Sequence, residues 1–334
     1  MKVKRILLTI LLFVLALSFT GCTKESAIVD SSGVIEDVET KSEYGITINE
    51  DTVSYVDGSG EEVIIDKKPE RVIVLFSSYI DIWLRNGGEL VGMIEDTSGQ
   101  LIPATEGVET VGKMGSISLE KIISLEPDLV VLSANTSSQV KLIPTLEDNG
   151  IQVLSIEYSF LDDYLKTVRL FSAINDREDL YEINSMEVRK DIDEIIEKTP
   201  KDNPPKVFIM FATGKSITSR GSNTTVGEVL ADLNTINIAD APNDLLDDKN
   251  FSIEKIIEED PDFIFVQTMG SDMDKINERI ISDVESNPAW ASLSAVKNHR
   301  YIFLPKDLYT YKANHRYPEA YEYLAKILYP EVFK

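Results

Sequence analysis

A fourteen-residue segment occurs twice in this chain. Ser118-Leu-Glu-Lys-Ile-Ile-Ser-Leu-Glu-Pro-Asp-Leu-Val-Val131 returns 134 positions later as Ser252-Ile-Glu-Lys-Ile-Ile-Glu-Glu-Asp-Pro-Asp-Phe-Ile-Phe265, with seven of the fourteen residues identical. The correspondence continues upstream, where Arg71-Val-Ile-Val-Leu-Phe76 has a counterpart in Lys206-Val-Phe-Ile-Met-Phe211. Each copy carries the same local signal. A serine can cap a short helix, the helix must stop before a proline, and a continuous apolar run of the buried-strand type follows. The chain therefore reads as two lobes of one plan.

The rest of the pattern fits that reading. Two β-rich runs, residues 52–56 and 61–65, flank Asp57-Gly-Ser-Gly60 and predict a hairpin. Apolar runs at 71–76, 129–132 and 151–155 alternate with helical patterns, one of them capped by Ser77 or Ser78 and ending near Gly87-Gly88, another at 142–149. Alternating strands and helices with buried apolar strands predict an α/β fold: two Rossmann-like lobes with mainly parallel sheets. Between them, Leu180, Ile183, Met186, Ile192, Ile195 and Ile196 fit one face of a helix over residues 176–198, long enough at ~30–35 Å to join two lobes as a strut. Pro204-Pro205 ends the connection, and Thr225-x-x-Glu228 offers a capping box for a helix in the second lobe. The last elements are a loop at Asn287-Pro-Ala-Trp290, a strand at 301–304 and a helix at 319–328.

The N-terminus opens with Lys2, Lys4 and Arg5, then a mostly apolar run over 6–17, then Ser18-Phe-Thr-Gly-Cys22. This is the pattern of a signal peptide, too short to cross ~30 Å of hydrocarbon. Cys22, the single cysteine, stands where bacterial lipoproteins are cleaved and acylated, in what resembles a lipobox with phenylalanine in place of the usual leucine. The expected organisation is a lipoprotein signal peptide (1–21), a flexible polar tether (22–45), an N-terminal lobe (46–157), connecting helices (158–203) and a C-terminal lobe (204–334), lipid-anchored outside the cytoplasm. No disulfide framework is available, so both lobes depend on their apolar cores. The formal charge of −24 becomes −27 once the three basic groups of residues 1–21 are removed, which argues against nucleic acid as a partner.

Several motifs fail on inspection. Gly214-Lys-Ser216 follows a strand, but Ile209 stands where a phosphate loop needs its first glycine and no helix is expected at Ser216. Gly58-Ser-Gly60 lacks the third glycine of a dinucleotide site. Two histidines, with no cysteine in the folded part, give no His-rich transition-metal site.

The hairpin followed by Pro69-Glu-Arg-Val-Ile73, the paired Glu-Lys-Ile-Ile…Pro-Asp segments, the strut, Asn287-Pro-Ala-Trp290…Ala295-Val-Lys-Asn298 and the ending Tyr323-Leu-Ala-Lys-Ile-Leu-Tyr-Pro330 together resemble the substrate-binding proteins of ABC importers for siderophores, haem and vitamin B12, over about residues 50–332. The resemblance implies two α/β lobes joined by one backbone helix, a ligand cleft between them, little hinge closure, no cofactor and no enzymatic activity. It also implies a partner: an ABC permease dimer with its ATPase subunits, whose arginine pockets receive one glutamate from each lobe. The matching positions are Glu120 and Glu254. The helix dipole alone would also favour an acid there, by ~0.3–1 kcal/mol.

Ligand contacts are expected from loops at the carboxyl ends of strands. Basic groups concentrate there: Lys113, Lys215, Arg220, Lys312 and Arg316. A cationic cleft suits an anionic iron chelate, with a ferric siderophore as the leading ligand. Tyr79, Tyr158, Tyr309 and Tyr311 are candidates to stack on an aromatic ligand, although core packing is the commoner fate of tyrosine. Haem or a corrinoid is the competing cargo, with Met114, Met269 and His315 as candidate contacts; methionine more often fills core gaps. His299, in a turn where relatives often carry glycine, reads as exposed and inert. A monomer is expected. An exported sensor or a chelate hydrolase, the latter needing His315 with a loop serine, is the alternative from another class.

Overall fold

The computed structural model describes residues 43–57, 61–95, 102–240 and 252–334, all within one compact unit, Glu39–Lys334. Cys22, the expected signal peptide, most of the tether and the Gly58-Ser-Gly60 turn lie outside the described residues. In the first lobe, five strands pair in parallel in the order Gln152–Ile156, Leu129–Ser133, Val72–Val74, Gly92–Met93, Glu109–Thr110. The hairpin Thr52–Val56 with Glu62–Asp66 forms as expected. It is tied to the sheet edge by Tyr55, whose hydroxyl donates to the Ser155 carbonyl at 3.0 Å.

The second lobe centres on Lys206–Thr213, parallel to Phe263–Met269, which is in turn parallel to Tyr301–Phe303. Ile217–Arg220 runs antiparallel to Lys206–Thr213, so this sheet is mixed at one edge. The turn between them is Gly214-Lys-Ser216, closed by Thr213, whose hydroxyl oxygen accepts from the amides of Lys215 and Ser216. The apparent phosphate loop is a hairpin turn.

The internal repeat has a physical explanation in these two sheets. Asp128 accepts from the backbone amides of Glu70 (2.6 Å) and Arg71 (3.0 Å), and Asp262 accepts from the amide of Lys206 (2.9 Å). Each Pro-Asp aspartate thus clamps the start of its lobe's first strand. In return, the Arg71 guanidinium donates to the carbonyls of Leu125 and Glu126, and the Lys206 ammonium to the Glu259 carbonyl. A cation at a helix C-terminus satisfies orphan carbonyls and opposes the dipole. Glu126 (φ 47°) and Asp260 (φ 43°) occupy equivalent left-handed positions that end the two helices before proline. The serine caps also match, Ser118 accepting from the Lys121 amide and Ser252 from the Lys255 amide, both at 3.2 Å. Replacing Asp128 with alanine removes two charge-assisted bonds at an exposed site, about 1–2 kcal/mol after solvent screening. The melting temperature should drop by roughly 2–3 °C in scanning calorimetry.

The strut forms, with a difference. Glu178–Tyr181 and Glu187–Lys198 are α-helical, but Glu182–Met186 is a π-helical turn. The Tyr164 hydroxyl donates to the Asn184 carbonyl (2.8 Å), and the Asn184 amide reaches the Arg85 carbonyl (3.1 Å). The extra residue rotates the register, so Ile183 and Met186, expected on the buried face, are 52% and 50% exposed. Thr224, not Thr225, caps the helix Thr225–Asp232, accepting from the Gly227 amide. Glu228 is then released to accept from the Leu161 amide at 3.1 Å, which ties this helix to the helix Leu161–Ile174 of the connection. His299, at φ 58° and exposed, takes the left-handed turn that glycine would favour.

The lobes share their core. One apolar cluster runs from Ile46 through Phe171 and Ile209 to Leu328, while separate clusters underlie the outer face of each sheet. The final helix Tyr317–Leu328 packs along the strut.

Candidate functional site

The site is assembled where the connection meets the second lobe. The carboxylate of Asp163 accepts from the amides of Ser159 (2.7 Å) and Phe160 (3.0 Å), fixing the chain just before the helix Leu161–Ile174. The Ser159 carbonyl then receives two donors, the Thr225 hydroxyl at 3.0 Å and the Lys312 ammonium at 2.7 Å. Around this hub lies a cavity of about 460 Å³, lined by Ser159 and Phe160 of the connection and by residues of the second lobe. Its charged and apolar walls are Arg220, Lys312, Phe211 and Met269, with Asn223, Thr225 and Gln267 supplying neutral polar atoms.

Arg220 ends its strand with the guanidinium stacked over the Phe211 ring at 4.2 Å, a preorganised position for a planar fork of donors. Lys312 lies 4.7 Å over the Tyr158 ring. Burial lowers its amine from the ordinary range to about 8, against the pull of Asp163 and Glu228. Burial also raises the Glu228 carboxyl above its usual range. Gln267 donates to the Tyr309 carbonyl (2.6 Å), and the Thr310 hydroxyl to the Thr268 carbonyl (3.0 Å), holding the last cleft loop against the sheet.

Of the expected contacts, Arg220, Lys312, Met269 and Tyr311 meet in this cavity. Tyr79 and Tyr158 do not reach it as stacking surfaces. They are 1% and 4% exposed, stacked on each other at 6.2 Å, and their hydroxyls donate to Ile156 and Asn314. Tyr309 does line the cavity, but it is 3% exposed with its hydroxyl turned to the Ala320 carbonyl, so it offers little ring surface to a ligand. Lys113 and Met114 sit on an exposed two-strand turn outside the cavity lining, with Lys113 near Glu95 (3.5 Å), and Lys215 is exposed at its hairpin turn. Arg316 is held by Asp307 and Glu319 at 2.7–2.8 Å, so its charge is matched internally.

His315 and Arg316 line a smaller cavity of about 150 Å³ with Asp81, Arg85 and Lys312. There His315 Nδ1 lies 3.2 Å from the Asp81 carboxylate of the first lobe. Burial alone would raise the Asp81 carboxyl, but His315 and Arg85 outweigh it and hold the group below its usual range. Asn314 completes the bridge between lobes, donating to the Ser78 carbonyl at 2.9 Å from a left-handed position (φ 52°). No pattern in the chain marked Asn314 beforehand. Gln267 could have been found, as a polar residue in the otherwise apolar run Phe263-Ile-Phe-Val266.

Comparison with known proteins decides the family. The periplasmic binding protein family matches residues 72–308. The chain belongs to this family. It is 31% identical to an uncharacterized ABC transporter substrate-binding lipoprotein, YvrC, of Bacillus subtilis (strain 168), over 84% of this chain and 87% of that protein. It is 25% identical to the Fe(3+)-citrate-binding protein YfmC of the same organism, over 72% and 75% of the two chains. Its fold matches the crystal structure of an ABC transporter substrate-binding protein from Listeria monocytogenes EGD-e with a TM-score of 0.66 at 20% identity, covering 79% of this chain and all of that one. This binding protein is thus the substrate-binding component of an ABC importer, in a family that captures solutes and does not transform them. No helix among the described residues is long and apolar enough to cross a membrane.

Proposed function

We propose that the chain captures an anionic ferric chelate, of the siderophore or hydroxycarboxylate kind, and delivers it to an ABC permease from a lipid anchor on Cys22. The observation that carries this is the pairing of Arg220 and Lys312 on the walls of one 460 Å³ cavity in a chain of net charge −24. Two cations converging on one cavity, when acids dominate elsewhere, favour a ligand that brings negative charge. The 25%-identical relative named for Fe(3+)-citrate supports the same chemistry.

Haem is less well served. Met269 is on the cavity rim, but Met114 lies outside the lining and His315 is engaged with Asp81, so these three candidates do not converge. Titration of the purified chain with ferric citrate, followed by tryptophan fluorescence, should saturate at one chelate per chain with the chelator recovered intact. Saturation by haem with a shifted Soret band, and none by ferric citrate, would select the other cargo. A cleaved chelator would instead point to a hydrolase.

For the permease, we propose Glu120 and Glu254 as the docking pair. Both are exposed, in the first turn of helices with matching serine caps. In a parallel α/β lobe a helix runs opposite to its strands, so these N-termini belong at the edge where the strands' carboxyl ends and the cleft lie. Two equivalent acids suit a two-fold permease, each paired with a guanidinium.

A further inference from the structure

Lys312 is a half-buried cation with no counter-ion among the described residues. Its ammonium has three N–H donors. Two meet neutral acceptors, the Ser159 carbonyl at 2.7 Å and the Thr225 hydroxyl at 3.4 Å. Among the described residues no carboxylate lies within ion-pair distance of it, and the acids nearby are already engaged. Asp163 accepts from the Ser159 and Phe160 amides, and Glu228 from the Leu161 amide. In the smaller cavity behind it, Asp307 is paired with Arg316, and Asp81 with Arg85 and His315. The remaining charged group on its own cavity is Arg220, also a cation.

A desolvated charge facing neutral dipoles is unfavourable until an opposite charge arrives. The ammonium also lies 4.7 Å over the Tyr158 ring, a weak neutral partner that a carboxylate would outcompete, and the cavity in front of it is suited to that arrival. We propose that Lys312 receives a carboxylate of the ligand at the floor of the cleft, and that capture is coupled to the charge on its ammonium. The inference rests on reading the cleft as an anionic-chelate site. It makes Lys312 the residue that selects a charged over a neutral chelate.

The coupling has a definite sign. Burial lowers the amine to about 8, so the ligand-free protein loses this charge as pH rises through about 8. A bound carboxylate favours the charged form and raises the amine again, so binding above that pH takes up a proton and weakens as pH rises. The test is calorimetric titration of the purified chain with ferric citrate in excess citrate, whose carboxylates stay ionised, at about pH 7 and about pH 9.5. If only the ammonium form accepts the ligand, affinity should fall about 30-fold between the two. Lys312→Met should bind more weakly at pH 7 and equally at both values, and Lys312→Arg, always charged, should lose the pH dependence while binding better than Lys312→Met. Wild-type affinity that ignores pH, or Lys312→Arg that keeps the wild-type pH dependence, overturns the inference and leaves the chelate reading standing. Failure to bind ferric citrate or free citrate at either pH overturns both.

Discussion

Glu120→Arg combined with Glu254→Arg should abolish uptake of the ferric chelate in cells while leaving its affinity for the purified protein within about twofold. Both glutamates are exposed, and neither lines the cavity, so neither reversal disturbs the ligand. What the reversals change is the encounter with a permease surface that offers guanidinium groups. Like charges brought face to face cost several kcal/mol and suppress the encounter itself. Each single reversal should leave partial uptake, since one lobe still docks. The lysine that follows each glutamate is engaged elsewhere, Lys121 with Glu109 at 2.9 Å and Lys255 with Glu258 and Glu259. The two single reversals should therefore damage uptake to a similar degree. Radiolabelled-iron uptake checks this, and full uptake by the double variant would mean that docking runs through another surface.

Arg220→Ala should weaken chelate binding by about 10–100-fold, the worth of a charge-assisted contact of ~1.5–3 kcal/mol. The guanidinium is stacked on Phe211, so little rotamer freedom remains to be lost when a ligand arrives. Arg220→Lys keeps the charge but not the stacked fork, and should recover only part of the affinity. Both variants should keep the fold, because the Arg220 backbone carbonyl, which accepts from Asn237 at 2.8 Å, is retained, while Arg220→Ala also gives up the stack on Phe211. Affinity unchanged in Arg220→Ala would remove this residue from the site.

The architecture was legible because the repeat encodes a local device twice. The serine cap and the Pro-Asp clamp lie within one short segment, and the basic residue stands 57 positions before the aspartate in one lobe and 56 in the other, so the spacing survives in both. The site was less legible because its contacts join segments far apart in the chain. Tyr158 and Tyr79 differ from Tyr311 only in what packs over them, and that depends on Asn314 bridging from the last loop to Ser78. Arg316 stands among the basic residues of the last cleft loop, but Glu319, three residues on in the following helix, is its local partner. The π-helical turn at Glu182–Met186 has no local signal, since the Tyr164 hydroxyl that bonds to the Asn184 carbonyl within it comes from another helix. The shift of the cap from Thr225 to Thr224 is one residue, yet it frees Glu228 to tie the connection to the second lobe.

The central claim is that an anionic ferric chelate sits between Arg220 and Lys312, in the cavity where the connection meets the second lobe. The most direct measurement is a crystal structure of the protein with ferric citrate, with the iron located by its anomalous signal. One iron peak is expected within the cavity, flanked by the Arg220 guanidinium and the Lys312 ammonium with Met269 on the rim. A peak on the Lys113 turn, in the smaller cavity beside His315, or anywhere outside the walls formed by Ser159, Phe211 and Thr225 would contradict it.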